Sequence, residues 1–132
     1  MDNFDFEVSK EEWSCLPVDD IGYISAKKIL SLSKMEAKHL MHIFQRNRYK
    51  TSGWRNKDNL WRSTLGLDKT KGKTIFDFGS GFAVEALQFL KLGNEVILAD
   101  ICEQNLKAAE HLLNSCGYAP KEITLIDYDE PY

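Results

Sequence analysis

The sequence has no apolar run that approaches the roughly 20 residues needed for a membrane-spanning helix. Its first stretch, MDNFDFEVSKEEW, is acidic and lacks the basic and then apolar pattern of a secretory signal. It has only three cysteines, Cys15, Cys102 and Cys116, and no CxxC pair. Their odd number and wide spacing indicate free thiols in a reducing compartment. We therefore expect a cytoplasmic protein with no membrane partner.

Histidine is also scarce, which argues against a metal centre. The one close pair, His39 and His42, has no cysteine or carboxylate at ligand spacing nearby. A structural or surface role fits these two side chains better than zinc binding. We expect no metal ion.

The net charge of −3 conceals three blocks of opposite sign. Residues 1–20 hold seven acids and one base, residues 21–73 three acids and thirteen bases, and residues 74–132 ten acids and three bases. Such blocks are compatible with a face that binds an anionic partner. We favour the simpler interpretation, in which the basic segment packs beside the acidic half of the same molecule. Nucleic acid is a minor alternative, because NRYKTSGWRN alternates basic and aromatic residues without any recognised nucleic-acid motif.

Residues 1–73 are predicted to form an N-terminal helical cap or extension. SKME at positions 33–36 fits a capping box and predicts a helix of about fifteen residues that ends near QRNRYK. The buried face of this helix is expected to consist of Met35, Leu40, Met41 and Phe44. CLPVDDIGY is predicted to be a loop because Pro17 and Gly22 interrupt it. NLWRSTLG predicts a short helix closed by Gly66.

Residues 74–132 alternate between strands and helices. TIFDF, EVILAD and EITLID predict strands, and AVEALQFLKLG and EQNLKAAEHLLNSCG predict helices that end at glycines. Because the turns between them are short, the strands should be parallel and the crossovers right-handed. The fold class is therefore α/β.

The first of these strands ends in Gly79-Ser80-Gly81 and leads into a helix. Glycines let the backbone turn sharply and let a ligand approach closely, and the helix N-terminus offers unpaired N–H groups. A glycine turn alone is weak evidence, but Asp100 ends the second strand, 21 residues after Gly79. In nucleotide-binding βαβ units an acid at this point accepts hydrogen bonds from the ribose hydroxyls. Asp127 ends the third strand, so these groups should meet at one edge of the sheet.

The residues around the turn narrow the choice of nucleotide. A dinucleotide fingerprint, GxGxxG, requires glycine where the chain has Val84, and Asp77 would repel a pyrophosphate. A phosphate loop ending in Gly72-Lys73-Thr74 would require glycine where the chain has Leu67. A nucleoside that carries an amino group and a sulfonium fits an acid at position 77 better than NAD does.

At this point FDFGSGFA resembles motif I of the class I S-adenosylmethionine-dependent methyltransferases. EVILADI is similar to the second strand of that family, and LIDYD resembles its adenine-side acidic motif. The resemblance covers about residues 70–132, and one departure is Ala83, where the family often has glycine. It implies a partial Rossmann-like, three-layer sandwich, of which residues 74–132 are the N-terminal half of the cofactor-binding domain.

The resemblance also implies S-adenosylmethionine as cofactor and a role for each matching residue. Asp77 would face the amino group of the methionine part, and Gly79, Ser80 and Gly81 would line its methionine and ribose side. Asp100 would hold the ribose hydroxyls, with a helix N-cap as its alternative role. Ile101 would pack on the adenine, and Asp127 would accept from the adenine amino group beside Tyr128. A solvated loop acid is the alternative for Asp127.

In this family the segment before motif I often covers the cofactor and shapes the acceptor pocket. Here Tyr49 would close over the sulfonium by cation–π attraction, and Arg55 would pair with the carboxylate of the cofactor. Trp54 would wall the substrate pocket. The alternative is that these aromatics belong to the core and that the arginine is solvated.

The class I fold has about seven strands, and the sequence ends just after the third. We therefore expect a truncated or incomplete methyltransferase acting on a small-molecule acceptor, with no residue that stands out as a catalytic base. The strand TIFDF would be an open, apolar edge that pairs with a second copy or another polypeptide. One alternative function is a non-catalytic S-adenosylmethionine-binding or assembly module. A less favoured one is an NAD-binding domain.

Overall fold

The structure, a computed structural model, describes residues 15–18 and 22–127. Its strands are β1 (Cys15–Val18), β2 (Gly22–Ser25), β3 (Thr74–Phe78), β4 (Glu95–Asp100) and β5 (Glu122–Leu125). Its α-helices are α1 (Ala26–Leu30), α2 (Lys34–Tyr49), α3 (Leu60–Thr64), α4 (Val84–Lys91) and α5 (Glu103–Ser115). Single turns of 3-10 helix cover Lys57–Asn59 and Leu67–Lys69. None of the helices in the described ranges has the length and apolar character needed to cross a membrane.

Strands β1 and β2 form an antiparallel hairpin where the sequence predicted a loop. Leu16 pairs with Ile24, and Val18 pairs with Gly22. The loop prediction was wrong because it treated Pro17 as a strand breaker. Each strand of a two-stranded sheet has an unpaired edge, and proline, which lacks an N–H, is tolerated there.

Helix α2 begins as the sequence predicts. The Ser33 hydroxyl accepts from the Glu36 N–H and the Glu36 carboxylate accepts from the Ser33 N–H, both at 3.1 Å. Met41 and Phe44 are buried as expected, but Met35 is 83% exposed, so its place on the buried face was wrong. Nine residues separate Met35 from Phe44, and at about 100° per residue they lie on opposite sides of the helix.

Strands β3, β4 and β5 form a parallel sheet in that order, which confirms the predicted β-α-β-α-β unit. The register pairs Asp77 with Leu98 and Asp100 with Leu125. Among the described residues β4 is the central strand, and β3 is an edge strand as predicted. The carboxyl ends of β3 and β4 therefore lie side by side, and this brings Asp77 near Asp100.

One face of this sheet carries the helices. Val96 and Leu98 point to that face and are fully buried. Phe76 and Phe78 point to the other face and are 55% and 66% exposed. The strand order advances in one direction, so two right-handed crossovers place α4 and α5 on the same side. The three-layer arrangement predicted from the resemblance is therefore not present in the described part of the chain.

The helices before the sheet share one core with it. Buried side chains from α1, α2, α4, α5 and β4 form a single apolar cluster. The rings of Phe44 in α2 and Phe82 before α4 stack with centroids 6.5 Å apart. This packing fixes the C-terminal end of α2 beside the glycine turn.

Candidate functional site

The turn after β3 is held against the end of β4 by its own backbone. The N–H groups of Gly79 and Ser80 both donate to the Ala99 carbonyl, at 2.7 and 3.1 Å. Gly79 and Gly81 have φ of +73° and +55°, in the left-handed region where glycine carries no steric cost. Ala83 has φ +64°, which accounts for the glycine often found at this point of the family that FDFGSGFA resembles.

Asp100 anchors the same turn with its carboxylate. Oδ2 accepts from the Gly81 N–H at 3.0 Å and Oδ1 accepts from the Cys102 N–H at 2.9 Å, and the residue is only 7% exposed. Helix α5 begins after Cys102, so Asp100 is not its N-cap. A carboxylate oxygen has the capacity to accept two hydrogen bonds, so each oxygen of Asp100 keeps one lone pair that these backbone contacts do not use.

Asp77 is the acid of the site whose ionisation the fold opposes. Burial, reinforced by the negative charges of Glu85 and Asp100, raises its pKa to about 6. Because the pKa of aspartate in an unfolded chain is about 3.9, the native state binds the extra proton between roughly pH 4 and 6. At neutral pH the ionised carboxylate therefore destabilises the folded protein, and a cationic ligand group bound beside it would offset this effect.

Asp77→Asn is therefore expected to stabilise the protein at neutral pH. The free energy of unfolding should rise by about 2 kcal/mol at pH 7.5, with no gain at pH 4, where the native aspartate is protonated. Urea unfolding at pH 4, 5, 6 and 7.5 measures this. As the pH rises from 4 to 6, the free energy of unfolding of the wild type should fall by an amount that the variant does not lose. Equal pH profiles for the two proteins would show that Asp77 is not strained by burial.

An open groove of about 900 Å³ runs along β3 beside the turn. It brings Asp77 and Gly79 together with Trp54 and Arg55, two of the residues predicted to cover the site. The guanidinium of Arg55 lies over the Trp54 ring at 4.6 Å and the Trp61 ring at 5.7 Å. Trp54 itself is 76% exposed, so the indole is a surface group at the groove and not a core residue.

The loop that carries Trp54 and Arg55 is positioned by one buried amide. Asn56 donates through Nδ2 to the Tyr49 carbonyl at 2.8 Å and accepts at Oδ1 from the Arg62 N–H at 3.0 Å. The side chain is fully buried. Its amide bonds to backbone groups at the end of α2 and in α3, and so it links these two helices where, among the described residues, no backbone–backbone hydrogen bond does. The loop therefore keeps a defined place over the groove.

Tyr49, which was predicted to cover the site, does not line this groove, but the charges of Glu85 and Asp77 act on its phenol. Its hydroxyl is buried and has no hydrogen-bond partner within the described ranges. Burial is the main cause that raises the pKa of the phenol, followed by the negative charge of Glu85, with Asp77 adding to it. The hydroxyl thus stays a neutral donor close to both acids.

Glu85 is a groove residue that the sequence analysis missed, as are its partners Arg48 and Trp61. It accepts from the Arg48 guanidinium and, at 3.2 Å, from the Trp61 indole N–H. Its position in the first turn of α4 is the signal that would have pointed to it, because acids are favoured at a helix N-terminus. Its arginine and indole contacts depend on helices far away in sequence.

The structure does not gather every predicted residue. Asp100 underlies the turn beside the groove without lining it. The other described residues that were predicted for the site and do not line the groove are Tyr49, Ser80, Gly81, Ile101 and Asp127. Ile101 follows β4 and is partly buried, and Asp127 lies exposed beyond the end of β5. Tyr128 lies outside the described residues.

Hydroxyl groups without a hydrogen-bond partner are one test of whether the site suits the cofactor that the resemblance implies. Ser80 is 6% exposed, and its hydroxyl has no hydrogen-bond partner among the described residues. Tyr49 also has a buried hydroxyl without a partner in the described ranges, and neither of these two side chains lines the groove. In the described part of the chain no group of three histidine, cysteine or acidic side chains is arranged to hold a metal ion.

Comparison with known proteins leaves the site to be interpreted from its chemistry. No protein-family model matches the sequence, and no curated protein matches it.

Proposed function

We propose that this chain binds S-adenosylmethionine at the turn after β3 and serves methyl transfer to a small-molecule acceptor. The observation that carries the proposal is the glycine turn. It is tied to Asp100 at the end of β4 and opens onto a groove that combines an acid with aromatic side chains. This arrangement suits a nucleoside with a cationic end.

The residues around the turn would divide the cofactor between them. Asp77, whose charge is unfavourable when alone, is suited to the cationic amino group. Gly79 has open space where a side chain would begin, so a ligand atom can approach its backbone. The remaining lone pairs of Asp100 suit the ribose hydroxyls, and Ile101 follows it towards the adenine.

The acceptor side would be formed by the groove. Trp54 offers an exposed indole face, and Arg55 offers a guanidinium held between two rings. S-adenosylmethionine supplies an activated methyl group when bound. The chain's own contribution is to position the acceptor and to shield it from water, because in-line transfer needs reacting atoms about 3–3.5 Å apart.

An NAD-type dinucleotide is less suited to the same turn. Its pyrophosphate would meet two carboxylates, Asp77 and Glu85, of which only Glu85 is paired with an arginine. The third glycine that lets a helix pack close to a pyrophosphate is replaced by Val84.

Ligand-induced stabilisation tests the proposal directly. Thermal unfolding is followed while S-adenosylmethionine, S-adenosylhomocysteine and NAD are titrated separately. At 100 times its dissociation constant a ligand adds about 2.7 kcal/mol, which corresponds to a rise of roughly 10 °C in Tm for a domain of this size. Both sulfur nucleosides should raise Tm and NAD should not. A shift with NAD alone would refute the proposal.

A non-catalytic binding module is the second candidate, and the open groove does not distinguish it from an enzyme. Incubation with S-[methyl-³H]adenosylmethionine and a panel of phenols, amines and carboxylates separates the two. Release of labelled methyl product supports transfer. Tight S-adenosylhomocysteine binding with no labelled product favours the binding module.

We also propose that the open edge of β3 pairs with a second strand, supplied by another copy of the chain or another polypeptide. Phe76 and Phe78 are exposed on the sheet face next to this edge, with ring centroids 6.0 Å apart. Exposed apolar edge strands promote such pairing. Light scattering should show larger species for the wild type than for the double variant Phe76→Thr/Phe78→Thr. Equal masses would contradict this contact.

A further inference from the structure

A second cavity, of about 420 Å³, lies between α2, α4 and the end of α5. Its walls come from five residues of α2, from Leu87 and Lys91 of α4, and from Cys116 after α5. None of these residues lines the groove at the glycine turn. Its volume is within the range of small-molecule pockets.

The floor of this cavity is apolar or already satisfied. Leu87 is buried, and burial raises the pKa of the Cys116 thiol, so the sulfur is neutral. The Gln45 amide donates to the Val84 carbonyl at 2.6 Å and accepts from Gln88. A ligand on this floor would therefore meet hydrocarbon and sulfur surfaces, with no free polar group.

Met35 extends the apolar surface to the entrance. It lies in the first turn of α2 and is 83% exposed, although it lines the cavity. An exposed methionine beside a cavity is an adaptable apolar contact, because its unbranched thioether fits ligands of varied shape. The sequence analysis predicted this side chain on the buried face of α2. Because it is exposed instead, it does not contribute to the core and is open to contact with a ligand.

Among the described residues, the rim of the cavity carries basic side chains and no acidic ones. Lys38, His39 and His42 lie on α2, Lys91 lies on α4, and no acid is among the lining residues. Both lysines line the cavity together with Cys116, Lys38 from α2 and Lys91 from α4, and their charges lower the pKa of the Cys116 thiol against the larger effect of burial. Within the described ranges neither amine forms an ion pair.

We propose that this cavity binds a small amphiphilic anion, a phosphate or carboxylate attached to a hydrocarbon chain or ring. The anionic group lies between Lys38 and Lys91, and the hydrocarbon part lies on Leu87, Cys116 and Met35. Charge complementarity at the rim and the apolar floor both select this class over cations and over fully polar anions. The site is independent of the proposed S-adenosylmethionine site, since the two share no lining residue.

Calorimetric titration with octyl phosphate, below the concentration at which it forms micelles, tests the proposal. Octyl phosphate should bind, and octyltrimethylammonium should not. Lys38→Gln and Lys91→Gln should each weaken octyl phosphate binding about fivefold or more, as expected for loss of a charged partner. Lys27→Gln, which removes the same charge from an exposed residue of α1 outside the cavity, should leave it unchanged.

Met35→Gln separates the apolar contact from the charge. Because this side chain is exposed, the variant should fold normally and weaken octyl phosphate about threefold or more, while leaving the weaker binding of inorganic phosphate unchanged. Sedimentation with phosphatidylglycerol vesicles distinguishes the source of the ligand. Lys38-dependent sedimentation indicates a lipid, and binding of octyl phosphate without sedimentation indicates a soluble metabolite.

Three results would overturn the site. They are equal binding of the cationic and anionic octyl compounds, equal affinity of the wild type and both lysine variants, and no binding of octyl phosphate at millimolar concentration. None of them depends on whether S-adenosylmethionine binds at the glycine turn.

Discussion

The free energy of unfolding is expected to fall by roughly 2–5 kcal/mol when Asp100 is replaced by alanine. The carboxylate is buried and accepts from two backbone N–H groups, those of Gly81 and Cys102, which alanine would leave without a partner. Part of this loss is offset, because the variant no longer has the negative charge of Asp100, which repels the ionised carboxylate of Asp77. Urea unfolding at pH 7.5 measures the change.

Two further variants make this result specific. Asp100→Asn keeps one acceptor oxygen and should lose less stability than Asp100→Ala. Glu110→Ala removes an exposed acid from α5 and should change the free energy of unfolding by no more than about 0.5 kcal/mol. If Asp100→Ala costs no more than Glu110→Ala, the carboxylate does not hold the turn.

Gly79→Ala is expected to reduce the rise in Tm produced by S-adenosylhomocysteine by about half or more at a ligand concentration 100 times the wild-type dissociation constant. Gly79 has φ +73° with open space where a Cβ would lie, and under the proposed function that space receives the ligand. The methyl group would weaken binding about tenfold or more through steric overlap. Isothermal titration of the folded variant measures the loss.

Gly72→Ala is the matched control. Gly72 has φ +64° and equally open surroundings, but it lies at the amino end of β3, away from the turn. Both substitutions should cost about 1–2 kcal/mol of stability, because alanine is strained in the left-handed region. Only Gly79→Ala should bind the ligand more weakly. If both variants bind S-adenosylhomocysteine equally well, the ligand does not lie at the turn after β3.

The parts of the fold that sequence spacing predicted are those set by local rules. The capping box at Ser33 fixed the start of α2, and glycines after β3, α4 and α5 marked the ends of those elements. The parallel order followed from short connections between alternating strands and helices. The antiparallel pairing of Cys15–Val18 with Gly22–Ser25 was missed because it joins segments whose local composition indicates a turn.

The candidate site divides in the same way. Gly79 and Asp100 were predicted because the carboxyl ends of neighbouring parallel strands meet at one edge, and the role of Asp77 was implied by the resemblance of FDFGSGFA to motif I. Glu85 was missed because its role depends on Arg48, which is 37 residues away and reaches it only through the packing of α2 on α4. The exposure of Met35 was also missed, and this exposure gives the second cavity its apolar entrance.

The sequence alone determined a strand, a glycine turn and a helix, with acids at the ends of two adjacent strands. These features depend on local backbone preferences and on spacing along the chain, and both can be read from the residues of each segment alone. Only the tertiary structure decided that Asp100 is bound to the turn and that Asp77 resists ionisation. It also decided that Trp54 and Arg55 lie over the same groove. Burial and charge proximity arise from residues distant in sequence, so no local pattern encodes them.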